Sequence, residues 1–169
     1  DTGEIESFPS TMYTMGSVVK ENYEDYFTKV IRATWVGNYV LTTAGENYTQ
    51  TGQFIESEAL EMLSLEMIKG SYSSLDELNA VVLAETTATA LFGEEDPIGK
   101  SVKINNEMDA VVNGVYKDLP KNNNFENVKF FANWELTEAN QPERFERAKM
   151  VWDDWSFQLY VQLRPEISF

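Results

Sequence analysis

The side chains of this 169-residue sequence that could do chemistry are its carboxylates and a few lysines, because it holds no histidine and no cysteine. A Ser-His-Asp or Cys-His nucleophile and the usual zinc sites are therefore excluded. The 28 acidic residues leave an acidic-residue hydrolase open, since two carboxylates across a cleft can act as acid and base. No spacing marks a particular pair, so we assign no catalytic residue.

Two short stretches have the residue types of an ion-binding site. The run from Gly93 to Asp96 is acidic, but hard cations need several oxygen ligands at a defined spacing, and the EF-hand pattern is absent. Lys100 follows Gly99 as in a phosphate-binding loop, but the glycine spacing differs and a strand follows instead of a helix. We therefore predict no metal and no cofactor.

Three tryptophans form the remaining candidate ligand surface. Trp152 and Trp155 flank two aspartates, and Trp134 lies upstream. Such side chains can form a platform for a carbohydrate or a peptide, although near a strand end they more often belong to a core or an interface. Both interpretations stay open, and a carbohydrate- or peptide-binding module is the functional alternative.

The composition indicates one globular domain with an acidic surface. Hydrophobic residues make up 43% of the sequence, which argues against disorder despite the charge. The net charge of −15 argues against nucleic acid as a ligand. No stretch approaches the length of a membrane span. Because the sequence begins at Asp1 without methionine and stops just after a predicted strand, we expect residues 1–169 to be one domain cut from a longer protein.

The elements around the acidic run are the clearest in the sequence. Residues 80–83 are an apolar, β-branched run typical of a buried strand, and residues 86–92 carry Leu91 and Phe92 on one predicted buried helix face. Gly93 stands where a helix ends with positive φ, and Pro97 prevents continuation. A hairpin of residues 101–105 and 107–116 follows, in which Gly114 indicates a bulge or a close backbone approach.

The other predicted elements alternate irregularly between strands and helices. Helices are expected over residues 11–27, over residues 58–63 with Ser57 as cap, and from Pro142; strands are expected over residues 29–35, 39–43, 48–55, 128–134 and 157–163. Runs of strands with few helices between them favour an α+β fold with a mixed or antiparallel sheet and packed helices. Residues 37–52 are a candidate for a smaller inserted lobe.

The central stretch resembles a known family. ALFGEEDPIGKSVKI followed by GVYKDLPKNNNF is similar to the LFG-x-x-DPIGK and GV-x-x-D-x-P segments of the MacB-like periplasmic core domain, found in ABC transporter permeases of the MacB/FtsX type. The resemblance runs from residue 23 to residue 131, and more loosely to residue 163. The residues that carry it imply a structural motif and no chemistry: Leu91, Phe92, Gly93, Asp96, Pro97, Ile98, Gly99, Lys100, Gly114, Asp118 and Pro120.

The resemblance implies a non-catalytic periplasmic domain that couples cytoplasmic ATP hydrolysis to export or extraction of a substrate. Its implied partners are a cytoplasmic ATP-binding subunit, reached through the rest of the permease, a second permease copy, and a periplasmic adaptor or other protein. The implied location is the outer side of the inner membrane, between two membrane helices. Such an insertion predicts that Ser10 and Pro165 lie close together at one end of the fold.

Overall fold

The computed structural model describes residues 10–167, which form nine strands and five α-helices. A single 3₁₀ turn, Tyr72–Leu75, separates β4 from β5. The elements are α1 (Tyr13–Asn22), β1 (Phe27–Ala33), β2 (Gly37–Thr43), β3 (Glu46–Ile55), α2 (Ala59–Met62), β4 (Met67–Lys69), β5 (Ala80–Ala84), α3 (Glu85–Phe92), β6 (Ser101–Ile104), β7 (Met108–Tyr116), β8 (Phe130–Asn133), α4 (Trp134–Asn140), α5 (Pro142–Met150) and β9 (Gln158–Leu163).

All nine strands belong to one mixed sheet. The order β2-β6-β7-β5-β8-β3 returns to its start because β3 also pairs with β2, so six strands form a closed ring. The pairs β5–β7 and β3–β8 are parallel, and the other pairs are antiparallel. On one side β3 continues to β1 and then β9. The predicted α+β class with a mixed sheet is confirmed.

The ring separates two apolar clusters, because successive side chains of a strand point to opposite faces of the sheet. On β5, Val81 and Leu83 join the cluster that contains Phe54 and Phe130. The alternate residues of β5, such as Val82, join the other cluster, which contains Phe131. A strand buried on both faces explains why all five residues of β5 are apolar.

The hairpin formed by β2 and β3 is part of the ring. Residues 37–52 form β2 and most of β3, with β2 bonded on its other edge to β6, so the predicted smaller lobe does not exist. Its turn is tight because Ala44 and Gly45 both have positive φ (48° and 84°). The interpretation as a lobe failed because the pairing of β2 with β6 joins segments about sixty residues apart, which local patterns cannot reveal.

Several element boundaries differ from the predictions for local reasons. The first helix ends at Asn22, and Phe27 already belongs to β1. Ser57 does not cap α2, whose N-cap position is Glu58 without a capping side chain. The apolar run 128–134 divides at Asn133, whose side chain accepts a hydrogen bond from Glu135 N–H (2.6 Å) and so begins α4 at Trp134.

The last strand is buried less regularly than predicted. The alternation from Phe157 predicted a buried face that includes Val161, but Val161 is 40% exposed. Tyr160 instead packs on the second apolar cluster, and its hydroxyl lies 3.0 Å from Gln53 Nε2. Phe157, directly before the strand, is fully buried. Leu159 and Leu163, on the predicted face, are half-buried like Tyr160, so this strand has no single buried face.

The prediction that Ser10 and Pro165 lie together is wrong. Thr11 pairs with Phe157 at the beginning of β9, with Thr11 N–H donating to Phe157 O at 2.7 Å. At the other end of the strand, Arg164 N–H donates to Tyr26 O at 3.0 Å. The two points are therefore separated by the length of β9, about 25 Å at roughly 3.3 Å per residue. The chain enters and leaves this edge of the sheet at different ends.

Candidate functional site

The motif residues after α3 form a corner between this helix and β6. Gly93 (φ 61°) ends the helix with positive φ, as predicted, and Gly99 (φ 79°) donates its N–H to Val112 O at 2.8 Å. Pro97 is buried, whereas Ile98 is 40% exposed. Asp96 accepts a hydrogen bond from Ile98 N–H (3.2 Å). The corner is thus fixed mainly by backbone geometry and hydrogen bonds.

Phe92 departs from the prediction that it is buried. Its ring is only half-buried at the edge of the first apolar cluster, while Leu91 is 8% exposed. Lys100 Nζ lies 5.1 Å from the centre of the Phe92 ring and also pairs with Glu95. The ammonium group of Lys100 therefore packs on the part of the Phe92 ring that apolar side chains leave uncovered.

Asp118 holds the beginning of α3, although it lies far along the chain. Thr86 N–H donates to Asp118 Oδ2 at 3.0 Å, and the Thr86 hydroxyl donates to Oδ1 at 2.7 Å. Lys129 Nζ contacts the same carboxylate at 2.6 Å. Position 84, before the helix, offers no capping side chain, so Asp118 supplies the acceptor that the first turn needs. Pro120, two residues later, is exposed.

Gly114 allows a close approach at a bulge between β5 and β7, as its pattern predicted. The pairing shifts between Val81 and Val82, which face Val112 and Gly114 respectively. A Cβ atom at Gly114 would lie 2.9 Å from Val82 Cγ1 and 3.0 Å from Ser74 Cβ. The position therefore has no room for a larger residue.

The three predicted tryptophans do not form one surface. Trp152 and Trp155 are 57% and 56% exposed in the loop after α5, but Trp134 is 2% exposed. Trp134 therefore belongs to the core, and its indole N–H donates to Glu138 Oε2 (3.1 Å). The prediction of a ligand platform that includes Trp134 is wrong, because that residue begins a helix that packs inward.

Trp134 instead belongs to a cluster that we call the terminal cluster. Its rings lie 5.4 to 6.1 Å apart between centroids, mostly in edge-to-face or tilted arrangements. The cluster joins α1, α4, α5 and the residue before β9, and thus ties the first and last elements to the sheet. Its members are Tyr13, Trp134, Phe145, Ala148 and Phe157.

A partly buried ion pair continues the terminal cluster towards the sheet. Arg32 Nη2 contacts Glu56 Oε1 at 2.6 Å, Arg32 N–H donates to Glu56 Oε2 at 2.7 Å, and Lys20 Nζ lies 3.2 Å from the same carboxylate. The Arg32 guanidinium also lies over the rings of Tyr13 (4.8 Å) and Trp134 (5.5 Å). The pair therefore connects α1, β1 and the end of β3.

α1 reaches this ion pair because it carries a glycine where it crosses β1. A Cβ atom at Gly16 would lie 2.7 Å from Arg32 Cγ. Arg32 and Glu56 are not among the residues predicted from the sequence. The available signal was a lone arginine in the otherwise apolar end of β1 and a glutamate directly after β3, where the two strands pair.

The ion pair makes stability depend on pH. Burial alone would raise the pKa of Glu56, but the hydrogen bonds and charge of Arg32 outweigh it and hold that pKa below its ordinary value. The unfolded state then binds a proton at a pH where the folded state does not. We expect the stability difference between the wild type and Glu56→Gln to be complete above about pH 4.5 and to shrink as the pH falls through the folded pKa.

Urea unfolding of both proteins between pH 3 and pH 7 measures this difference. Asp118, whose pKa is also lowered against the opposing effect of burial by hydrogen bonds from Lys129 and Thr86, remains in both proteins and does not affect the comparison. A difference in stability that stays constant across the pH range would contradict the role of the ionised Glu56.

Residues 10–167 contain no group of acidic side chains arranged to hold a metal ion. No helix in this part of the chain is both long enough and apolar enough to span a membrane.

The sequence matches a family model over residues 3–169, that of the MacB-like periplasmic core domain. A comparison with curated protein sequences finds no match.

Three solved structures show the same fold at low sequence identity. A domain of a proposed permease protein from Porphyromonas gingivalis is 20% identical with a TM-score of 0.78, over 98% of this chain and 68% of the other. The periplasmic region of MacB from Actinobacillus actinomycetemcomitans is 15% identical with a TM-score of 0.61, over 91% and 80%. The extracellular domain of the noncanonic ABC-type transporter YknZ from Gram-positive bacteria is 16% identical with a TM-score of 0.60, over 91% of each chain.

Proposed function

Because this chain belongs to the family of MacB-like periplasmic core domains of ABC transporter permeases, we propose that it transmits movement between the membrane part of such a permease and the periplasm. In this proposal, ATP hydrolysis in a cytoplasmic subunit changes the position of the domain, and the domain moves a substrate outside the inner membrane. The observation that carries the proposal is the terminal cluster, which makes the first and last described elements one body with the sheet.

A domain that transmits movement must not yield where the chain enters and leaves it. Tyr13 at the beginning of α1 and Phe157 before β9 have their ring centroids 5.7 Å apart. Glu138 reinforces this contact, since it accepts hydrogen bonds from Tyr13 (3.4 Å) and Trp134 (3.1 Å) and pairs with Lys149 (2.7 Å). A displacement of either element is therefore passed to the sheet.

The family is a non-catalytic periplasmic domain of transporters. We propose that this chain likewise does no chemistry. Its better-buried carboxylates are engaged by cations: Glu56 by Arg32, Asp118 by Lys129 and Glu138 by Lys149. Glu56 and Asp118 are therefore poor general acids, because their pKa values are lowered and not raised.

The proposal places the domain between two membrane helices of a permease that acts as a dimer. Ser10 and Pro165 lie at opposite ends of β9, so these helices approach the domain about 25 Å apart, given roughly 3.3 Å per strand residue. The further partners are the cytoplasmic ATP-binding subunit and a periplasmic adaptor or other protein. The acidic surface, with net charge −15, favours a basic or neutral contact surface on that protein.

Spin-label distance measurements on the parent permease test the proposal. Lys121 is exposed in the loop after Pro120, and the sequence has no cysteine, so Lys121→Cys gives one label per copy in an otherwise cysteine-free permease. In nanodiscs with the ATP-binding subunit, the distance between the two labels should differ between the nucleotide-free and the vanadate-trapped states. A subunit that cannot bind ATP is the control.

A second variant separates transmission from hydrolysis. Phe145→Ala loosens the terminal cluster and should reduce the nucleotide-dependent change in distance while ATP hydrolysis continues. An inter-label distance that is the same in both nucleotide states of the intact permease would overturn the proposed function.

A further inference from the structure

A groove of about 470 Å³ lies between α1, β1 and the residue that follows β9. Its volume is within the range of ligand sites, roughly 300–1,000 Å³. The lining includes residues 27–31 of β1, Lys20 of α1, Glu24 in the turn after α1, Glu58, and Arg164. The groove lies outside the terminal cluster and the motif corner, and the proposed function does not use it.

One wall of the groove is an open edge of the sheet. β1 pairs with β9 along its whole length, but with β3 only at Ala33 and Ile55. On the β3 side, Arg32 N–H donates to the Glu56 carboxylate (2.7 Å) and Arg32 O accepts from Glu56 N–H (3.1 Å). After Glu56 the chain leaves the sheet for α2.

The backbone groups of Val30 face the same edge, because every second residue of a strand bonds to the same side. Within residues 10–167 the N–H and C=O of Val30 have no hydrogen-bond partner on that edge. An unpaired strand edge is a template for another strand. Val30 itself is 9% exposed and is one of the residues that line the groove.

Arg164 lies at the end of the groove near Phe27, where Glu24 is also part of the lining. Arg164 Nε donates to Glu24 O (3.1 Å), and no carboxylate in the described part of the chain lies within salt-bridge distance of the Arg164 guanidinium. Lys29 pairs with Glu61, whose side chain is 62% exposed, so that ion pair is weak and easily exchanged. A guanidinium is well suited to a carboxylate, which it can bind through two parallel hydrogen bonds.

We propose that this groove binds the C-terminal segment of an extended peptide, which adds to the open edge of β1 as an antiparallel strand. The peptide lies beside β1 where β3 would lie if β3 continued beyond Glu56, and it runs in the same direction as β3. A strand in that direction runs from Arg32 towards Phe27, so its C-terminal carboxylate arrives at Arg164. The backbone of β1 provides the affinity of strand addition, and Arg164 selects a free carboxyl end. This inference does not depend on a role in transport.

A defined peptide tests the proposal on the 169-residue chain. The probe is an N-acetylated hexapeptide of alternating threonine and valine with a free carboxyl end. Titration calorimetry should show binding, and the backbone amide of Val30 should shift in the NMR spectrum and become protected from hydrogen exchange. The same peptide with an amidated end should bind about tenfold more weakly, because it loses the charge-assisted hydrogen bonds to Arg164.

Two matched changes identify the groups that bind. Arg164→Gln should remove the preference for the free carboxyl end, whereas Arg147→Gln, on the exposed face of α5, should leave it intact. A hexapeptide methylated on alternate backbone nitrogens cannot pair with a strand edge and should not bind.

The contrary outcomes are equally defined. Absence of binding at millimolar peptide, equal affinity for the free and amidated peptides, or undiminished binding of the methylated peptide would each overturn the proposal. Preferential binding of dodecanoate, which offers a carboxylate and an apolar chain but no backbone, would show that the groove takes a lipid and would overturn it as well.

Discussion

Replacing Phe145 with alanine should lower the free energy of unfolding by about 3–5 kcal/mol, the usual cost of removing a core aromatic ring. Phe145 is 0% exposed, and its ring lies 5.4 Å from that of Trp134 and 5.6 Å from that of Phe157. The cavity would open among side chains of α1, α4 and the residue before β9, which meet around this ring. Urea denaturation followed by circular dichroism measures the loss.

Phe92→Ala is the matched control, since it deletes the same ring at a half-buried position. We expect it to cost about half as much, because the transfer of the ring from water is incomplete. Similar losses for the two variants would contradict the central position of Phe145 in the terminal cluster.

Removing the carboxylate of Glu56 should have the second largest effect. Glu56→Ala leaves Arg32 without its charge partner, although the Arg32 side chain is only 19% exposed and lies where α1, β1 and the end of β3 meet. Breaking one side of a fully buried pair costs about 3–5 kcal/mol, and for this partly buried pair we expect about 2–4 kcal/mol. The exposed pair Lys117–Glu66 provides the control, where Glu66→Ala should cost less than about 1 kcal/mol.

The double variant Arg32→Met, Glu56→Leu distinguishes charge burial from loss of packing. Because it removes both charges and keeps most of the volume, it should be more stable than Glu56→Ala alone. A double variant that is less stable than the single one would mean that the arginine stabilises the fold mainly by packing on Tyr13 and Trp134.

The sequence predicted the central unit of the fold well because its signals are local. Gly93 and Pro97 mark the end of α3, and the alternation after Ser101 marks the hairpin. Asn105 and Asn106 both have positive φ (53° and 57°), which forms the tight turn of the predicted hairpin. The acidic side chain that holds α3, Asp118, lies in the motif but was assigned no contact, because its partner is 32 residues away.

The sites were harder to predict than the elements because they form between distant segments. The sequence marked Trp134 as an aromatic residue but did not show whether its side chain is exposed or buried. Its burial follows from the start of α4 at the Asn133 cap, which the sequence did not predict. The groove beside β1 has no sequence pattern at all. It exists because β3 leaves the sheet at Ile55 while β1 and β9 continue, a difference in strand length that appears only once the register is known.

The separation of Thr11 and Arg164 along β9 decides how the domain responds to force. A load applied between these two points acts along the axis of β9 and not across it. The hydrogen bonds between β1 and β9, in register from Lys29 to Ala33, are then sheared together instead of being opened one after another. A strand loaded in shear resists until all its bonds fail at once. The edge of the sheet at which the chain enters and leaves is therefore stiff in the direction in which the chain itself would pull.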